Sequence, residues 1–264
     1  MANEFRRSGP IDEDAETLRV AFEYREGLEG GWELFGEVSF LGRGGGVLDP
    51  VIDWWHNTLL ADRNLARDGV ARGRSTVSFP GGGPFGSEAG IGDVSFGAAY
   101  SPRPGALLRV GLKLPTGYAP GLLGSGAFDV GLAGDLRVPA GRRLTLDLNV
   151  GLTLQGRPTH MAGGRRSVAS SSVALTWLWT SRDAWTVQWS AEQSPTRTGL
   201  AELDRDHRVM SLGYQRRVDD MTVVQVYMSE GGDFRWARFP GGATVGPDLT
   251  IGVRIIRRHS RAAR

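Results

Sequence analysis

Between Leu144 and Gln155 the chain alternates almost without error, with Leu144, Leu146, Leu148, Val150, Leu152 and Leu154 in one phase and Thr145, Asp147, Asn149, Gly151, Thr153 and Gln155 in the other. A strand of this kind presents one apolar and one polar face, because successive side chains point to opposite sides of a sheet. The pattern returns at similar length along nearly the whole sequence, and no helical segment is large enough to cover so many apolar faces. Closing the sheet on itself and letting lipid contact the apolar side satisfies all of them at once. The expected fold is therefore all-β, an antiparallel transmembrane barrel of about 12 strands in a single domain spanning 1–264.

Composition agrees with this reading where it discriminates. No run of eighteen apolar residues is present, which excludes a membrane-spanning helix. A hydrophobic content of 40% and a mean hydropathy of -0.23 suit a soluble protein and a membrane barrel equally, since only alternate residues of a barrel meet lipid. A soluble β-barrel or sandwich is the competing fold, and failure to partition into detergent would favour it. The absence of cysteine rules out disulfides and thiolate metal sites. The pI is near 9.3, but acidic and basic residues are interleaved and the net charge is only +2, so nucleic acid is not an expected partner. The segment Met1-Ala2-Asn3-Glu4-Phe5 has no apolar signal core, so an exported protein would have lost its signal.

Strands are predicted at 17–26, 31–41, 91–101, 106–115, 127–138, 144–155, 167–180, 185–193, 206–217, 221–230 and 248–258. Short connections at 27–30, 102–105, 139–143, 181–184 and 218–220 alternate with long ones, the pattern of periplasmic turns and extracellular loops. An even strand number requires one more strand. The preferred reading places its end at 3–6, with the rest truncated; the other makes a strand of 74–79. Trp32, Tyr100, Trp177, Trp179, Trp185 and Tyr214 lie near the short turns, as a periplasmic aromatic girdle would.

Strand phase turns Arg19, Glu23, Arg25, Glu33, Glu37, Asp93, Arg109, Lys113, Asp129, Asp135, Arg137, Asp147, Glu192 and Arg254 inward, along with Asn149, Gln155, Gln188 and Gln215. Six bases and eight acids nearly cancel, which argues against strong ion selectivity and fits interior ion-pair ladders. Among these, Arg109, Lys113, Asp129, Asp135, Arg137, Asp147, Asn149 and Gln188 are the lumen or ligand candidates. Lys113 is expected beside Asp129 as a cross-strand pair that fixes register, first as a structural clasp and second as a ligand site.

Within the longest connection, 42–90, Gly44-Gly45-Gly46 ends a strand and Asp49-Pro50 opens the one convincing helix, over 51–60. Asp49, Trp54, Trp55 and His56 mark this helix as a plug in the mouth or, the safer reading, a cover on the rim; Trp54, Trp55 and Leu59 could line an apolar mouth. The four histidines, His56, His160, His207 and His259, fall in loops, strand ends or the tail. None stands with a serine in mid-strand as a barrel lipid hydrolase requires, and no Gly-x-Ser-x-Gly elbow, metal-ligand spacing or phosphate loop is found. The chain is therefore expected to be no enzyme and to need no cofactor or metal.

The succession Ile91-Gly92-Asp93-Val94, Leu112-Lys113-Leu114-Pro115-Thr116-Gly117 and Gly124-Ser125-Gly126-Ala127-Phe128-Asp129 resembles the phenol-degradation meta-pathway and transporter outer-membrane barrels. Gly45-Gly46-Val47-Leu48-Asp49, the Trp55-His56 pair and Arg63 resemble a narrower Gram-negative outer-membrane family of unknown function. The resemblance covers most of the chain after Asp14 and implies location and architecture more than activity. Two departures point to a truncated or engineered chain: the incomplete first strand, and a basic tail at 259–264 where such barrels end on an aromatic residue.

The function expected is a passive outer-membrane channel or uptake protein for small molecules, hydrophobic ones among them. A second expectation is a non-conducting structural barrel that binds lipopolysaccharide or a partner. Its loops at 156–166, 194–205 and 231–247 carry Arg157, Arg165, Arg166, Arg197, Arg235, Trp236 and Arg238, and guanidinium pairs well with phosphate. Membrane lipid and a small solute are the expected partners, and the sequence sets no oligomeric state.

Overall fold

A computed structural model describes residues 1–8, 11–54, 58, 71–80, 82–159, 163–231 and 249–259. Trp55, His56, Leu59, Arg63, His160, Arg235, Trp236, Arg238 and the tail beyond His259 lie outside the described residues. Alternating segments become strands throughout. In chain order these are β1 (Ala2–Ser8), β2 (Ile11–Gly27), β3 (Trp32–Gly44), the short β4 (Thr76–Phe79), β5 (Gly82–Phe85) and β6 (Glu88–Ile91), then β7 (Val94–Arg103), β8 (Ala106–Leu114), β9 (Asp129–Pro139), β10 (Leu144–Gln155), β11 (Ser167–Leu178), β12 (Asp183–Glu192), β13 (His207–Arg217), β14 (Thr222–Gly231) and β15 (Leu249–Arg257). Among the described residues the helical elements are α1 (Asp49–Trp54), α2 (Ala201–Asp204) and single 3-10 turns at Glu29–Gly31 and Ala119–Gly121.

All fifteen described strands belong to one antiparallel sheet. From β7 to β14 each strand pairs with its sequence neighbour, β14 pairs with β15, and β3 pairs with both β2 and β7. Strand β1 hydrogen-bonds along its length to β2 and touches β15 through Ala2↔Thr250 and Asn3↔Leu249. Met1 adds two backbone contacts to Ile251, its amino group donating at 2.6 Å and its carbonyl accepting at 2.9 Å. Following the pairings from β1 through β2, β3 and β7 to β15 thus leads back to β1. Farther along, residues 19–27 of β2 and 252–257 of β15 have no ladder pairs with each other. The Arg254 guanidinium crosses this seam to Glu23 at 2.6 Å.

Strand number and two boundaries differ from expectation. The predicted strand at 91–101 is broken at Gly92-Asp93, where the Gly92 N–H donates to Ser39 O at 2.8 Å and the Asp93 side chain is drawn into a cluster described below. Strands β6 and β7 are consequently two stretches along the same partner, β3. Both candidate positions for the additional strand carry one, 3–6 within β1 and the 76–79 part of 74–79 as β4. Strand β1 pairs with Ile11–Thr17 residue for residue, which is why β2 begins at Ile11 and not at Thr17, and the β4–β5 hairpin extends the sheet on the other side of β2 at Asp12–Asp14. The helix begins at Asp49 and is described as far as Trp54.

The faces separate as the alternation requires. Phe22, Leu34, Val150, Val187, Val253 and Ile255 are among many large apolar side chains left exposed on one face, Phe22 at 72% and Ile255 at 70%. A soluble sheet would bury such a face against a second layer. Instead, among the described residues, the buried apolar side chains are few and scattered, and the core cluster is Leu48 on Leu249, with Met1 and Met228 against it.

Candidate functional site

The polar face carries the chemistry, and its residues fall into three groups. The first sits where β8 and β9 begin to separate. Lys113 and Asp129 are directly opposite in register and their charged groups meet at 2.8 Å, as the sequence phase predicts. Lys113 also reaches Asp93 at 2.7 Å. The Asp93 carboxylate further accepts the N–H groups of Gly117 at 2.9 Å and Ser125 at 3.0 Å. Thr116 accepts the Val94 N–H at 2.8 Å through its hydroxyl. A Cβ at Gly124 would collide with the Asp93 carboxylate, so the glycine allows the loop to close over it. The motifs at 112–117 and 124–129 are therefore two sides of one knot whose centre is Asp93. Sequence phase placed Asp93 on this face but did not reveal it as the hub, because its backbone donors come from loop residues with no fixed periodicity.

The second group is a ladder of ion pairs. Arg109 meets Asp135 at 2.9 Å, the Asn149 amide donates to the same carboxylate at 2.7 Å, and Arg137 meets Asp147 at 2.6 Å. Across β2 and β3, Arg25 bridges Glu23 at 2.5 Å and Glu33 at 3.1 Å, and Arg19 pairs with Glu37. Arg25 also lies 5.9 Å from the centre of the Phe35 ring. That ring lies over Gly97 and Gly111, which are opposite one another in register; a Cβ at Gly97 would overlap the Phe35 Cζ. Every charged candidate of the sequence reading on β8 to β10 is thus paired with another.

The third group is neutral apart from one carboxylate. Asn149, Ser170, Ser172, Gln188, Ser190, Glu192 and His207 line a cavity of about 260 Å³ over β10 to β13. Register explains the gathering: Asn149, Ser172 and Ser190 form one row, and Gly151, Ser170, Glu192 and His207 the next. Gly151 contributes room, since a Cβ there would approach Ser170 Oγ to 2.6 Å. Gln188 was identified from sequence. The serines were missed because Ser170, Ser171 and Ser172 are consecutive, which hides the alternation.

The girdle candidates pair across strands on the apolar face. Trp32 is opposite Tyr100, with rings 4.9 Å apart. Trp177, Trp185 and Tyr214 form a continuous row, the last two rings 5.1 Å apart. Trp179 follows β11 and is exposed. Beyond the opposite strand ends, Leu48 packs with Leu249 and Met228 in the phase of exposed Ile251, hence on the apolar face. The segment is held there by buried Glu16, which accepts the N–H groups of Val47 at 2.9 Å and Leu48 at 2.7 Å, and by Asp49, which accepts that of Gly73 at 3.0 Å. Val47, Val51 and Trp54 remain exposed. Glu16 was not singled out from sequence, since its partners lie over thirty residues away.

The loop regions bring further order. Gly164 bridges to Thr196, and Arg165 donates to Thr196 O at 3.2 Å, joining the loops at 156–166 and 194–205. Burial would raise the Asp204 pKa, but the N–H groups of Thr198 and Gly199 and the hydroxyls of Thr198 and Thr196 outweigh it and hold the carboxyl below its ordinary value. In the turn before β14, the Met221 N–H likewise lowers Asp219. Among the described residues no cluster of three or more His, Asp or Glu is placed to hold a metal ion.

This arrangement of strands is similar to the fold of a solved outer-membrane channel. The COG4313 outer membrane channel from Pseudomonas putida F1 is similar with a TM-score of 0.53 at 14% identity, covering 93% of this chain and 85% of that one. The chain belongs to the family described as Protein of unknown function (DUF3187), which matches residues 2–231. Weaker likenesses are to the Ralstonia pickettii toluene transporter TbuX (TM-score 0.47, 10% identity, 94% of this chain and 69% of that one) and to a Pseudomonas aeruginosa FadL homologue (0.43, 13%, 92% and 66%). No curated protein sequence matches.

Proposed function

We propose that the chain forms a closed barrel in the outer membrane of a Gram-negative bacterium and acts there as a passive channel or uptake protein for small molecules, with no catalytic role. Its wall would be the twelve strands β1, β2, β3 and β7 to β15, with β4 to β6 extending above the rim. The observation that carries this reading is the pairing circuit with a broadly exposed apolar face outside and a charged and hydroxylated face within. Lipid is the partner such an outer face requires. The likeness to a solved outer-membrane channel supports the architecture. Kinship with the phenol-degradation meta-pathway barrels belongs to the same proposal and rests on the motifs at 91–94, 112–117 and 124–129.

In this reading the Lys113–Asp93–Asp129 knot and the ion-pair ladders brace the wall, while the solute passes the groups left open to the lumen. Phe35 and Tyr227 are aromatic surfaces for a hydrophobic solute; the serine and amide wall offers a larger set of contacts to a polar one. The segment around α1 is a cover on the outer rim and not a plug, because Leu48 packs in the lipid-facing phase. Single-channel recording of the detergent-folded protein in planar bilayers tests both points. Steady conductance is expected from the intact chain and from one lacking residues 47–60; conductance only after the deletion would make the segment a plug, and silence in both would overturn the channel.

Exposed arginines support a second reading, a barrel surface that binds lipopolysaccharide. The Gly164–Thr196 bridge links loops bearing exposed Arg157, Arg166 and Arg197. Replacing Arg166 and Arg197 by alanine should reduce the lipopolysaccharide that co-purifies; unchanged retention would count against this role.

A further inference from the structure

The charged groups on β8 to β10 neutralise one another, whereas those of the adjoining cavity do not. Among the described residues the side chains of Ser170, Ser172, Gln188 and Glu192 have no hydrogen-bond or ion-pair partner, although all four line the 260 Å³ cavity. Glu192 stands in register between Ser170 and His207, and no Lys or Arg pairs with it. Asn149, in the adjoining row, is already turned to Asp135, so it helps shape the cavity more than it offers new contacts. A carboxylate without a counter-charge attracts a cation. Hydroxyl and amide groups that both donate and accept are suited to a solute that does the same.

We propose that this cavity is a solute subsite for small polyhydroxylated molecules bearing an ammonium group, with Glu192 taking the charge and Ser170, Ser172 and Gln188 the hydroxyls. The site rests on the reading of this face as a channel lumen. Hydroxyl groups of the solute replace the waters that otherwise serve the serines, so the neutral part of the molecule gains little, and discrimination comes from Glu192. An open, partly screened charge pair contributes modestly, giving about a two- to fivefold preference for the charged solute over its neutral analogue. Weak, selective binding of this kind suits passage, since a tightly held solute would not leave.

The experiment measures binding of glucosamine and glucose to the full detergent-folded chain by saturation-transfer NMR, beside single-channel conductance of the same preparation without sugar. Glucosamine is expected to bind about two- to fivefold more tightly than glucose. Glu192→Gln should erase that difference while keeping glucose binding, Glu192→Asp should retain it, and Ser172→Ala should weaken both sugars. Equal binding of the two sugars, binding of neither, or a preference that survives in Glu192→Gln would overturn the subsite. Conductance separates this from the channel reading. A conducting protein indifferent to glucosamine refutes the subsite alone, and a silent protein that binds glucosamine through Glu192 refutes the channel alone.

Discussion

Strands β8 to β10 and strands β11 to β13 form adjacent parts of the same polar face, yet their polar groups are used in opposite ways. On the first, Lys113, Arg109 and Arg137 each meet a carboxylate within 3 Å. On the second, among the described residues, Ser170, Ser172 and Gln188 line an open cavity beside Glu192, a carboxylate with no ion-pair partner. Charge on the polar face is therefore weak support for solute binding. Paired charges are satisfied within the wall and brace it, while the unpaired neutral groups remain available to something passing.

The largest effect is expected at Lys113. Lys113→Ala leaves Asp93 and Asp129 facing each other without a cation, and the half-buried setting puts the loss at about 2–3 kcal/mol of stability. It should appear as a lower urea midpoint for loss of the folded, heat-modifiable gel band. Ser172→Ala on the neutral wall should leave that midpoint unchanged, and an equal fall in both would erase the distinction.

Next in size is Gly97→Ala, whose Cβ overlaps Phe35 and the Val110 carbonyl, at about 1–3 kcal/mol. Adding Phe35→Ala should recover part of the loss in the same assay; no recovery would mean that the backbone contact dominates. Arg109→Gln frees Asp135 on the braced wall and should shift the reversal potential of the channel toward cations. If Ser172→Ala shifts it as much, the charged wall is not where selectivity is set.

The smallest effect is a pH dependence confined to the loop at 194–204. Asp204 is held below its ordinary carboxyl value in the folded state, so the folded state binds fewer protons than the unfolded one as pH falls through that range. Its stabilisation is therefore fully present above about pH 4 and lost as pH falls through the lowered folded value. Faster amide exchange at Thr198 and Gly199 below that range, reproduced at neutral pH by Asp204→Asn, is the expected signature. Protection independent of both would show that the carboxylate does not hold the loop.

Period-two alternation was enough to read β10, β13 and β14 almost to the residue, since nothing competes with the sheet there. It failed at Gly92-Asp93, where a side chain needed elsewhere interrupts a strand, and at β4 and β5, which are too short for a period to register. In the site, Lys113 with Asp129 was legible because cross-strand neighbours follow from hairpin register. The roles of Asp93 and Glu16 were not legible, because each binds backbone N–H groups of distant loops, and a backbone donor leaves no mark in the sequence.

The seam between β2 and β15 has a mechanical consequence. Along the rest of the wall, parting neighbouring strands means breaking a run of ladder hydrogen bonds, but here, among the described residues, the wall is joined by β1's two register pairs, the Met1 contacts and one ion pair. A load on the wall therefore concentrates along this line. Pulled from its ends or thinned by a mismatched bilayer, the sheet should tear there first, as a zip opens from the end with the fewest teeth.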